Sequence, residues 1–368
     1  MQSFIGTVSK LTLENRLAVI SNGCTMLVQG YPRGSCLVET SEGAKKMACT
    51  ATLRHNPDSG HERLIKSLLV SRPEDYLSIY QSGCNHTCLK CHSHEFSKVV
   101  TGKWMSASDI ANVVSEYLDY VTVFEPKEAA TSWHAHRLCN HCGMCVTMGK
   151  RPPKCPEKLS PEQIVLSPQG FGPARNIIAF TGGDVLCRPE FYIEAAEKIK
   201  EVSNDFHVLL ETNGYGLTPK NLEAYSEGGI DAFWLDIKAF TENTYRKLCG
   251  TTNQHILSSV ERIINHGFTL EVLTLYIPDI VETDEHIQIA ELIAETDTGI
   301  PTTLLAFFPC YKLLSPDYRP PTVQEMVKSY TAMREVGLEN LRMSNFGVFV
   351  KTDQDRQYLN EALGSKTI

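Results

Sequence analysis

The chain has 368 residues, 42% of them hydrophobic and 21% charged, which predicts a packed globular protein with one large barrel or two ordinary domains. The formal net charge of −8 and the lack of a lysine and arginine block argue against a nucleic-acid partner, and no run of 18 apolar residues could span a membrane. The amino terminus lacks the basic and apolar regions of a signal peptide, and the 13 cysteines are clustered. Clustered cysteines without a signal peptide indicate metal ligands in a reducing compartment, so we expect a cytoplasmic protein.

Residues 1–75 are predicted to form a small β-rich module. Short apolar runs at 17–20, 24–28 and 35–38 are separated by turn-forming glycine, asparagine and proline residues. Three widely spaced cysteines lie in or near these runs, namely Cys24, Cys36 and Cys49. Isolated cysteines of this kind favour burial as small apolar side chains over metal ligation.

Three closely spaced cysteines follow an apolar, strand-like run at residues 76–80: Cys84, Cys88 and Cys91. At spacings of four and three residues within one loop, three thiolates can hold an iron–sulfur cluster by three of its irons. The fourth iron of such a cluster is left open to a ligand that is not part of the protein. A structural zinc loop completed by His86 or His92 is the alternative, although zinc sites usually combine C-x-x-C units from two loops.

From residue 77 onward, strand-like apolar runs alternate with helical patterns, the order that builds a parallel sheet. The predicted strands are residues 77–81, 176–181, 208–212, 232–237, 270–276 and 303–308. The predicted helices are 106–120, 189–202, 219–227, 256–266, 284–295 and 320–335, with a short closing strand at 341–347. Six strand–helix units predict an α/β fold, a partial (β/α)6 TIM-like barrel over residues 76–350 with a tail at 351–368. The chemistry of such barrels lies at the carboxyl ends of the strands.

Polar residues stand at the carboxyl ends of three predicted strands. They are Thr181, Gly182, Gly183 and Asp184 at the second strand, Glu211 and Asn213 at the third, and Asp236 and Lys238 at the fourth. The paired glycines allow a ligand to approach the backbone closely, and Asp184 can pair with an ammonium group. Asp236 and Lys238 share one face of their strand, because side chains alternate along a strand with a period of two.

An insertion at residues 121–167 carries a second cysteine group: Cys139, Cys142, Cys145 and Cys155. A C-x-x-C-x-x-C run followed by Cys-Pro is the ligand pattern of ferredoxins, except that nine residues rather than three separate the third and fourth cysteines here. The long gap lets Cys155 return to the same metal, which predicts a closed site for a four-iron cluster or a single iron or zinc ion. A structural role and an electron-carrying role both stay open.

The cysteine loop and the Gly-Gly-Asp turn resemble the radical SAM superfamily, and the stretches 211–214 and 236–238 resemble its activase-like branch. The resemblance implies a [4Fe-4S] cluster on the three loop cysteines, with S-adenosylmethionine on the open iron and a 5′-deoxyadenosyl radical as the product of its reductive cleavage. It also implies that the Gly-Gly-Asp turn binds the amino group of S-adenosylmethionine and that the other strand-end residues hold its ribose and methionine. Two positions depart from the family pattern, since Lys90 replaces an aromatic residue before the third cysteine and Asp184 replaces a glutamate.

The small N-terminal module, the four-cysteine insertion and the barrel together resemble methanogen glutamine C-methyltransferases that modify methyl-coenzyme M reductase. This resemblance implies a protein substrate, a bound cobalamin, and a low-potential ferredoxin or flavodoxin as electron donor. The sequence does not show the cobalamin, because Asp284 and His286 begin a cobalamin-loop pattern but Ile289 stands where that loop needs glycine. Cobalamin would therefore bind without a histidine from that loop.

Two alternative functions stay open. The activase-like stretches also fit an enzyme that abstracts hydrogen from a glycine of a partner enzyme, although the insertion lacks the cysteines for a second ferredoxin cluster and the N-terminal module is an addition. A non-catalytic iron–sulfur scaffold or sensor is the hypothesis from a different class, and it would not need polar residues at the strand ends.

Overall fold

The computed structural model describes residues 23–364, and the apolar run predicted at 17–20 lies outside them. Its strands are β1 Leu37–Glu39, β2 Lys45–Met47, β3 Leu53–Asn56, β4 Gly60–Val70, β5 Leu77–Gln81, β6 Lys103–Ser106, β7 Val165–Ser167, β8 Gly170–Gly172, β9 Ile177–Gly182, β10 His207–Thr212, β11 Ala232–Asp236, β12 Thr269–Tyr276, β13 Thr302–Ala306 and β14 Leu341–Ser344. Its helices are α1 Thr25–Val28, α2 Ala48–Thr52, α3 His94–Ser97, α4 Ala107–Leu118, α5 Ser132–Ala135, α6 Met144–Thr147, α7 Glu190–Val202, α8 Pro219–Glu227, α9 Glu242–Cys249, α10 Gln254–Leu257, α11 Ser259–Asn265, α12 Thr283–Thr296, α13 Val323–Val336, α14 Phe346–Phe349 and α15 Asp353–Leu363. Within this part of the chain, no helix combines the length and the hydropathy needed to cross a membrane.

The main sheet has the strand order β14-β13-β12-β11-β10-β9-β5-β4-β3, with β6 also paired to β4. All neighbours from β5 through β14 run parallel, and β3, β4 and β6 are antiparallel additions at the β5 edge. Parallel strands need crossover connections, and helices supply them between β9 and β14. The predicted α/β fold with a partial TIM-like barrel is therefore confirmed.

The connecting helices cover the outer face of the sheet. Helix α4 begins at Ser106, where a capping box forms: the Ser106 hydroxyl accepts from the Asp109 backbone N–H at 3.2 Å, and the Asp109 carboxylate accepts from the Ser106 N–H at 2.9 Å. Its buried Ile110 and Val114 belong to the same apolar cluster as Phe191 of α7. With the outer face closed in this way, the carboxyl ends of the strands are left to carry the polar loops.

The predicted separate module at residues 1–75 is wrong for residues 53–70. Strand β4 pairs with β5, Val70 opposite Leu77, and also pairs with β3 and with β6. It is an interior strand, so Arg63 is fully buried and belongs to the barrel sheet. The β-rich character predicted for the preceding residues is seen in the β1–β2 hairpin.

The predicted tail at 351–368 contains an ordered helix, α15. The Thr352 hydroxyl caps it by accepting from the Asp355 N–H at 3.1 Å. Its Leu359 is only 1% exposed and belongs to the main apolar core. One apolar residue per turn was too weak a pattern to predict this helix, which tertiary packing stabilises.

Helix α9 was not predicted, although it supports the loop with the three cysteines. It buries Tyr245 and Leu248 and ends at Gly250, whose φ of +77° is a left-handed conformation that glycine adopts without strain. The helix predicted at 256–266 is two short helices, α10 and α11. These elements lie between β11 and β12.

Candidate active site

The loop with Cys84, Cys88 and Cys91, called the cysteine loop below, follows the carboxyl end of β5. Its backbone is fixed on two sides. The Asn85 N–H donates to the Asp184 carbonyl at 2.9 Å, and the Thr87 and Leu89 N–H groups donate to carbonyls at the end of α9, at 3.0 and 2.8 Å. The loop is therefore held between the turn after β9 and helix α9.

Each thiol of the cysteine loop has a polar neighbour. The Asn213 amide lies 3.8 Å from the Cys84 sulfur, the Ser97 hydroxyl lies 3.3 Å from the Cys91 sulfur, and Cys249 is near enough to Cys88 to lower its pKa. Hydrogen bonds to the sulfurs are among the features that tune iron–sulfur clusters. Cys88 is 7% exposed, whereas Cys84 and Cys91 are partly exposed, so this donor set fits a cluster bound at the surface of the loop.

Two lysines balance the charge that three thiolates would bring. Burial raises the pKa of Cys84 to about 12, and the positive charge of the nearby Lys98 ammonium lowers it. The hydrogen bond from Cys249 lowers the pKa of Cys88, and Lys238 and Lys98 lower it further. Thiolates are the forms that bind iron, so these cations favour ligation.

The alternative of a zinc loop does not fit the histidines. His86 is fully buried, with its ring nitrogens 2.7 Å from the Asn85 side-chain oxygen and 2.8 Å from the Tyr245 hydroxyl. His92 lies against the ring of Phe308, 5.9 Å between centroids. Among residues 23–364, no group of three or more Cys, His, Asp or Glu side chains is placed to hold a single metal ion. This finding concerns a single ion only. The cysteines of an iron–sulfur cluster bind separate irons, so they do not have to converge on one point.

The Gly-Gly-Asp turn at the end of β9 packs directly on the cysteine loop. Gly182 has a φ of +90°, and a Cβ at Gly183 would lie 2.2 Å from the Gly83 carbonyl oxygen and 2.8 Å from that of Gln81. The Gly183 N–H donates to the Gln81 carbonyl at 2.8 Å. Only glycine permits this approach, so the sequence motif brings two strand ends together.

Asp184 is buried at 4% exposure, and its carboxylate accepts four hydrogen bonds from the protein. One oxygen accepts from the Asn85 amide at 3.3 Å and the Leu186 N–H at 3.0 Å. The other accepts from the Thr212 hydroxyl at 2.7 Å and the Asn213 N–H at 2.9 Å. A carboxylate has about four acceptor sites, so the predicted pairing with an ammonium group would require one donor to leave. In this structure Asp184 ties the cysteine loop to β9 and β10.

Asn213 also belongs to the scaffold of the cysteine loop. Its amide donates to the Asn85 side-chain oxygen at 2.7 Å, and its own oxygen accepts from the Tyr215 N–H at 3.0 Å. Binding of a ribose hydroxyl by Asn213 stays a prediction. The side-chain nitrogen of Asn213 also contacts the Cys84 sulfur.

Glu211 and Thr181 meet inside the barrel. The Thr181 and Tyr76 hydroxyls donate to the two Glu211 carboxylate oxygens at 2.5 and 3.0 Å. Burial raises the pKa of Glu211 to about 8. The hydrogen bond from Thr181 lowers this pKa, and the negative charges of Glu74 and Glu271 raise it. The barrel interior is therefore acidic at this level, and Glu211 holds a proton at neutral pH.

Glu211→Gln is expected to flatten the pH dependence of stability. The raised pKa means that the folded chain holds a proton between pH about 4.5 and about 8 that the unfolded chain releases, so wild-type stability falls as pH rises through this range. Chemical denaturation midpoints of the ligand-free protein at pH 5 and pH 8 measure the effect. The control Glu197→Gln, on the exposed side of α7, should keep the wild-type slope.

Asp236 and Lys238 form an ion pair beside the cysteine loop. Burial alone would lower the pKa of Lys238, but Asp236 and the thiols of Cys88 and Cys249 raise it above its ordinary value. The lysine is therefore a fixed positive charge next to Cys88. The structure thus places the predicted Asp–Lys pair at the same strand end as the cysteine loop.

Lys90, which stands where an aromatic residue was expected, makes an aromatic contact instead. Its ammonium lies 4.6 Å from the centroid of the Phe308 ring, a cation–π geometry. Phe308 follows β13, so an aromatic side chain reaches the cysteine loop from another strand.

A known family matches part of the chain. The family model described as the radical SAM superfamily matches residues 136–293, from the insertion to α12. These residues are similar to the radical SAM superfamily, which the cysteine loop and the Gly-Gly-Asp turn also resemble. The matched segment begins after the cysteine loop, and the loop adds the cluster motif that this superfamily needs.

Relatives of this protein are named as activating enzymes. It is 28% identical over 125 residues to a protein of Methanocaldococcus jannaschii that is provisionally named a glycyl-radical enzyme activating enzyme, covering 33% of this chain and 46% of that one. It is 25% identical over 169 residues to the pyruvate formate-lyase-activating enzyme of Clostridium pasteurianum, covering 45% and 69%. Among solved structures, SuiB of Streptococcus suis bound to the precursor peptide SuiA has a TM-score of 0.47 at 13% identity, covering 75% of this chain and 50% of that one. The first of these matches spans about half the length of the relative.

Three residues that were not predicted from the sequence complete the surroundings of the cysteine loop. They are Ser97, Lys98 and Cys249. Lys98 donates a short hydrogen bond to the His86 carbonyl, and Cys249 lies at the end of the unpredicted helix α9. Nothing near Cys249 in the sequence indicates this role, because the contact depends on how α9 packs under the cysteine loop.

The first part of the insertion lies against inward-facing polar residues of the barrel. The Ser132 hydroxyl and the Trp133 N–H both donate to the buried Glu271 carboxylate at 3.0 Å. Arg342 of β14 donates to the Trp133 carbonyl at 3.1 Å. Ala130 packs with Tyr76 and other residues near the amino ends of the strands. This segment therefore fills the amino-terminal end of the barrel.

The first three cysteines of the insertion lie at the opposite end of β5 from the cysteine loop. His141 is 2.8 Å from the Asp75 carboxylate, which precedes β5, and Gly143 lies against Phe171. A five-residue strand is about 17 Å long, so β5 lies between the two cysteine groups. The four thiols of the insertion are not placed around a single ion, and the four-iron cluster stays a prediction.

Cys155→Ala is expected to release metal from the insertion and to loosen residues 121–167. Metal ligation would fold this polar segment, and Cys155 supplies the fourth thiolate of the predicted closed site. Iron and zinc analysis with limited proteolysis of variant and wild type measures both effects. If the variant keeps its metal and its protease resistance, Cys155 is not a ligand.

Proposed function

We propose that this radical SAM enzyme abstracts hydrogen from a glycine of a partner enzyme and so activates it. The observation that supports the proposal is the similarity to relatives named as activating enzymes, combined with a cysteine loop and polar strand ends on one face of the barrel. The electron donor would be a ferredoxin or a flavodoxin, and the protein would work in the cytoplasm, where such clusters persist.

The residues of the site divide the task. Cys84, Cys88 and Cys91 would hold the [4Fe-4S] cluster, which together with S-adenosylmethionine supplies a 5′-deoxyadenosyl radical. The backbone at Gly182 and Gly183 is close enough to the cysteine loop to bind the amino group of S-adenosylmethionine.

The remaining strand-end residues would position the rest of the cofactor. Lys238, held by Asp236, can pair with the methionine carboxylate. The protonated Glu211 and Thr181 can hydrogen-bond to ribose hydroxyls.

A second candidate is cobalamin-dependent C-methylation of a glutamine in methyl-coenzyme M reductase. The segment at residues 23–52 supports it, because an added unit lies directly against the cysteine loop: a Cβ at Gly34 would be 2.5 Å from the Asn85 carbonyl oxygen. His286 would not be the cobalamin ligand, since it is fully buried with its ring 2.9 Å from the Ser329 hydroxyl.

Product analysis separates the two candidates without knowing the substrate. The anaerobic protein is incubated with S-adenosylmethionine and dithionite, with or without hydroxocobalamin. An activase should form 5′-deoxyadenosine alone and should release cobalamin on gel filtration. A methyltransferase should retain the cobalamin absorption bands and also form S-adenosylhomocysteine. If neither nucleoside product appears, the non-catalytic scaffold is the better hypothesis.

A further inference from the structure

A groove lies between the insertion and the C-terminal helices, outside the sites described above. Its volume is about 310 Å³, at the lower end of the range for ligand-binding clefts. The residues that line it include Lys154, Phe346, Gly347, Val350, Arg356 and Leu359. The insertion and helix α15 are about 200 residues apart in the chain, so only tertiary packing forms this groove.

The rim of the groove is positively charged. Lys154 is exposed, and its ammonium has no hydrogen bond or ion pair to any other residue in the described part of the chain. Arg356 pairs with Asp353 at 3.0 Å, but the two side chains are 67% and 98% exposed. Ion pairs this exposed are weak, so Arg356 can exchange Asp353 for a carboxylate of a ligand. The Lys351 ammonium donates to the Gly347 carbonyl at 2.5 Å and adds a third cation. The rim therefore favours an anionic ligand.

The floor of the groove is apolar. Leu359 is buried in the main apolar core, and Phe346 and Val350 pack against that core while staying half-buried. Gly347 keeps the groove open, because no atom lies within 4 Å of its Cβ position. An apolar side chain that enters the groove would therefore lose contact with water, while charged groups beside it would stay at the rim.

The groove lies beside the carboxyl end of β14. Phe346 follows the last residue of this strand by two positions. The Asn345 side chain donates to the carbonyl of Ala306, the last residue of β13, at 3.1 Å. The carboxyl ends of parallel strands meet at one edge of a sheet. A polypeptide held in the groove would therefore lie at the same end of the barrel as the cysteine loop.

We propose that this groove binds a segment of the protein substrate that has carboxylates on both sides of an apolar side chain. The proposal rests on the proposed function, because it needs a substrate that is a protein. The cations at the rim complement the carboxylates of such a segment. The apolar floor and the volume favour a polypeptide side chain over a small anion such as phosphate. Docking in the groove would hold the substrate protein near the strand ends without using any residue of the cysteine loop.

Binding of a fluorescein-labelled peptide, Glu-Leu-Glu-Phe-Glu, to the full chain tests the proposal. Fluorescence anisotropy should show binding to the wild type. Lys154→Glu combined with Arg356→Glu should weaken it on the order of tenfold, because the reversed charges repel the carboxylates. The matched control is Lys103→Glu combined with Lys220→Glu, at exposed positions of β6 and α8, which changes the net charge equally and should bind as the wild type does.

Two further arms test the apolar floor. Gly347→Leu places a side chain in the open space of the groove without changing the charge, and should also weaken binding on the order of tenfold. A peptide with serine in place of leucine and phenylalanine should bind the wild type more weakly than the original peptide does. Circular dichroism checks that each variant is folded.

The proposal would be overturned if the folded wild type binds no peptide, or if the groove variants bind it as well as the wild type does. Equal binding of the serine peptide would mean that the groove takes any anion. Gel filtration with light scattering covers another occupant, since a wild-type dimer that Gly347→Leu converts to monomer would show that a second copy of the chain fills the groove. Peptide binding is measured without S-adenosylmethionine, so its failure is distinct from a failure to form 5′-deoxyadenosine, which would overturn the proposed function.

Discussion

Alanine in place of Cys84, Cys88 or Cys91 is expected to abolish reductive cleavage of S-adenosylmethionine. Each substitution removes one of three protein ligands, and the structure offers no replacement, because His86 is committed to Asn85 and Tyr245. Loss of even an outer hydrogen-bonding partner can cost up to about a hundredfold in metal affinity, so loss of a ligand should cost more than that. The rate of 5′-deoxyadenosine formation under dithionite measures the effect.

Cys310→Ala is the matched control for these three variants. Cys310 is partly exposed and precedes a short turn after β13, outside the cysteine loop. It should keep both the wild-type iron content and the wild-type rate. A loop variant that forms 5′-deoxyadenosine as fast as wild type would rule out the cysteine loop as the cluster site.

Gly183→Ala is expected to displace the cysteine loop. The added methyl group would meet two carbonyl oxygens, of Gly83 at 2.2 Å and of Gln81 at 2.8 Å, and backbone cannot move aside as a flexible side chain can. Overpacking costs roughly 1–3 kcal/mol, and the rigid neighbours here favour the upper end of that range. Denaturation midpoints and reconstituted iron content should both fall.

Gly347→Ala is the matched control for Gly183→Ala. Gly347 lies in helix α14 with nothing within 4 Å of its Cβ position, so alanine there should leave stability and iron content unchanged or slightly improved. Equal behaviour of the two variants would mean that the close approach of β9 to the cysteine loop is not needed.

The strands and helices of the barrel could be predicted because their patterns are local. β5 and α8 have the predicted boundaries, since an apolar run and a Thr-Pro helix start carry their own signals. The meeting of the Gly-Gly-Asp turn with the cysteine loop could also be predicted, because neighbouring parallel strands end at the same edge of a sheet.

The roles of individual side chains could not be predicted in the same way. Asp184 was expected to face a ligand, but its carboxylate accepts hydrogen bonds from Asn85 and Thr212. These donors come from other strand ends, so the sequence around Asp184 does not indicate them. Cys24, Cys36 and Cys49 were expected to be buried, which is confirmed, whereas their grouping with Cys187 depends on tertiary packing. Long-range contacts of this kind leave no local signal.

The most direct test of the radical SAM assignment is electron paramagnetic resonance of the dithionite-reduced protein before and after addition of S-adenosylmethionine. We expect a reduced-cluster signal that changes on addition, because a cluster held by three cysteines would have an open iron for S-adenosylmethionine, and we expect 5′-deoxyadenosine to form afterwards. The change should be absent in Cys88→Ala. A wild-type signal that does not respond to S-adenosylmethionine, with no 5′-deoxyadenosine formed, would contradict the assignment of the cysteine loop as the radical-generating site.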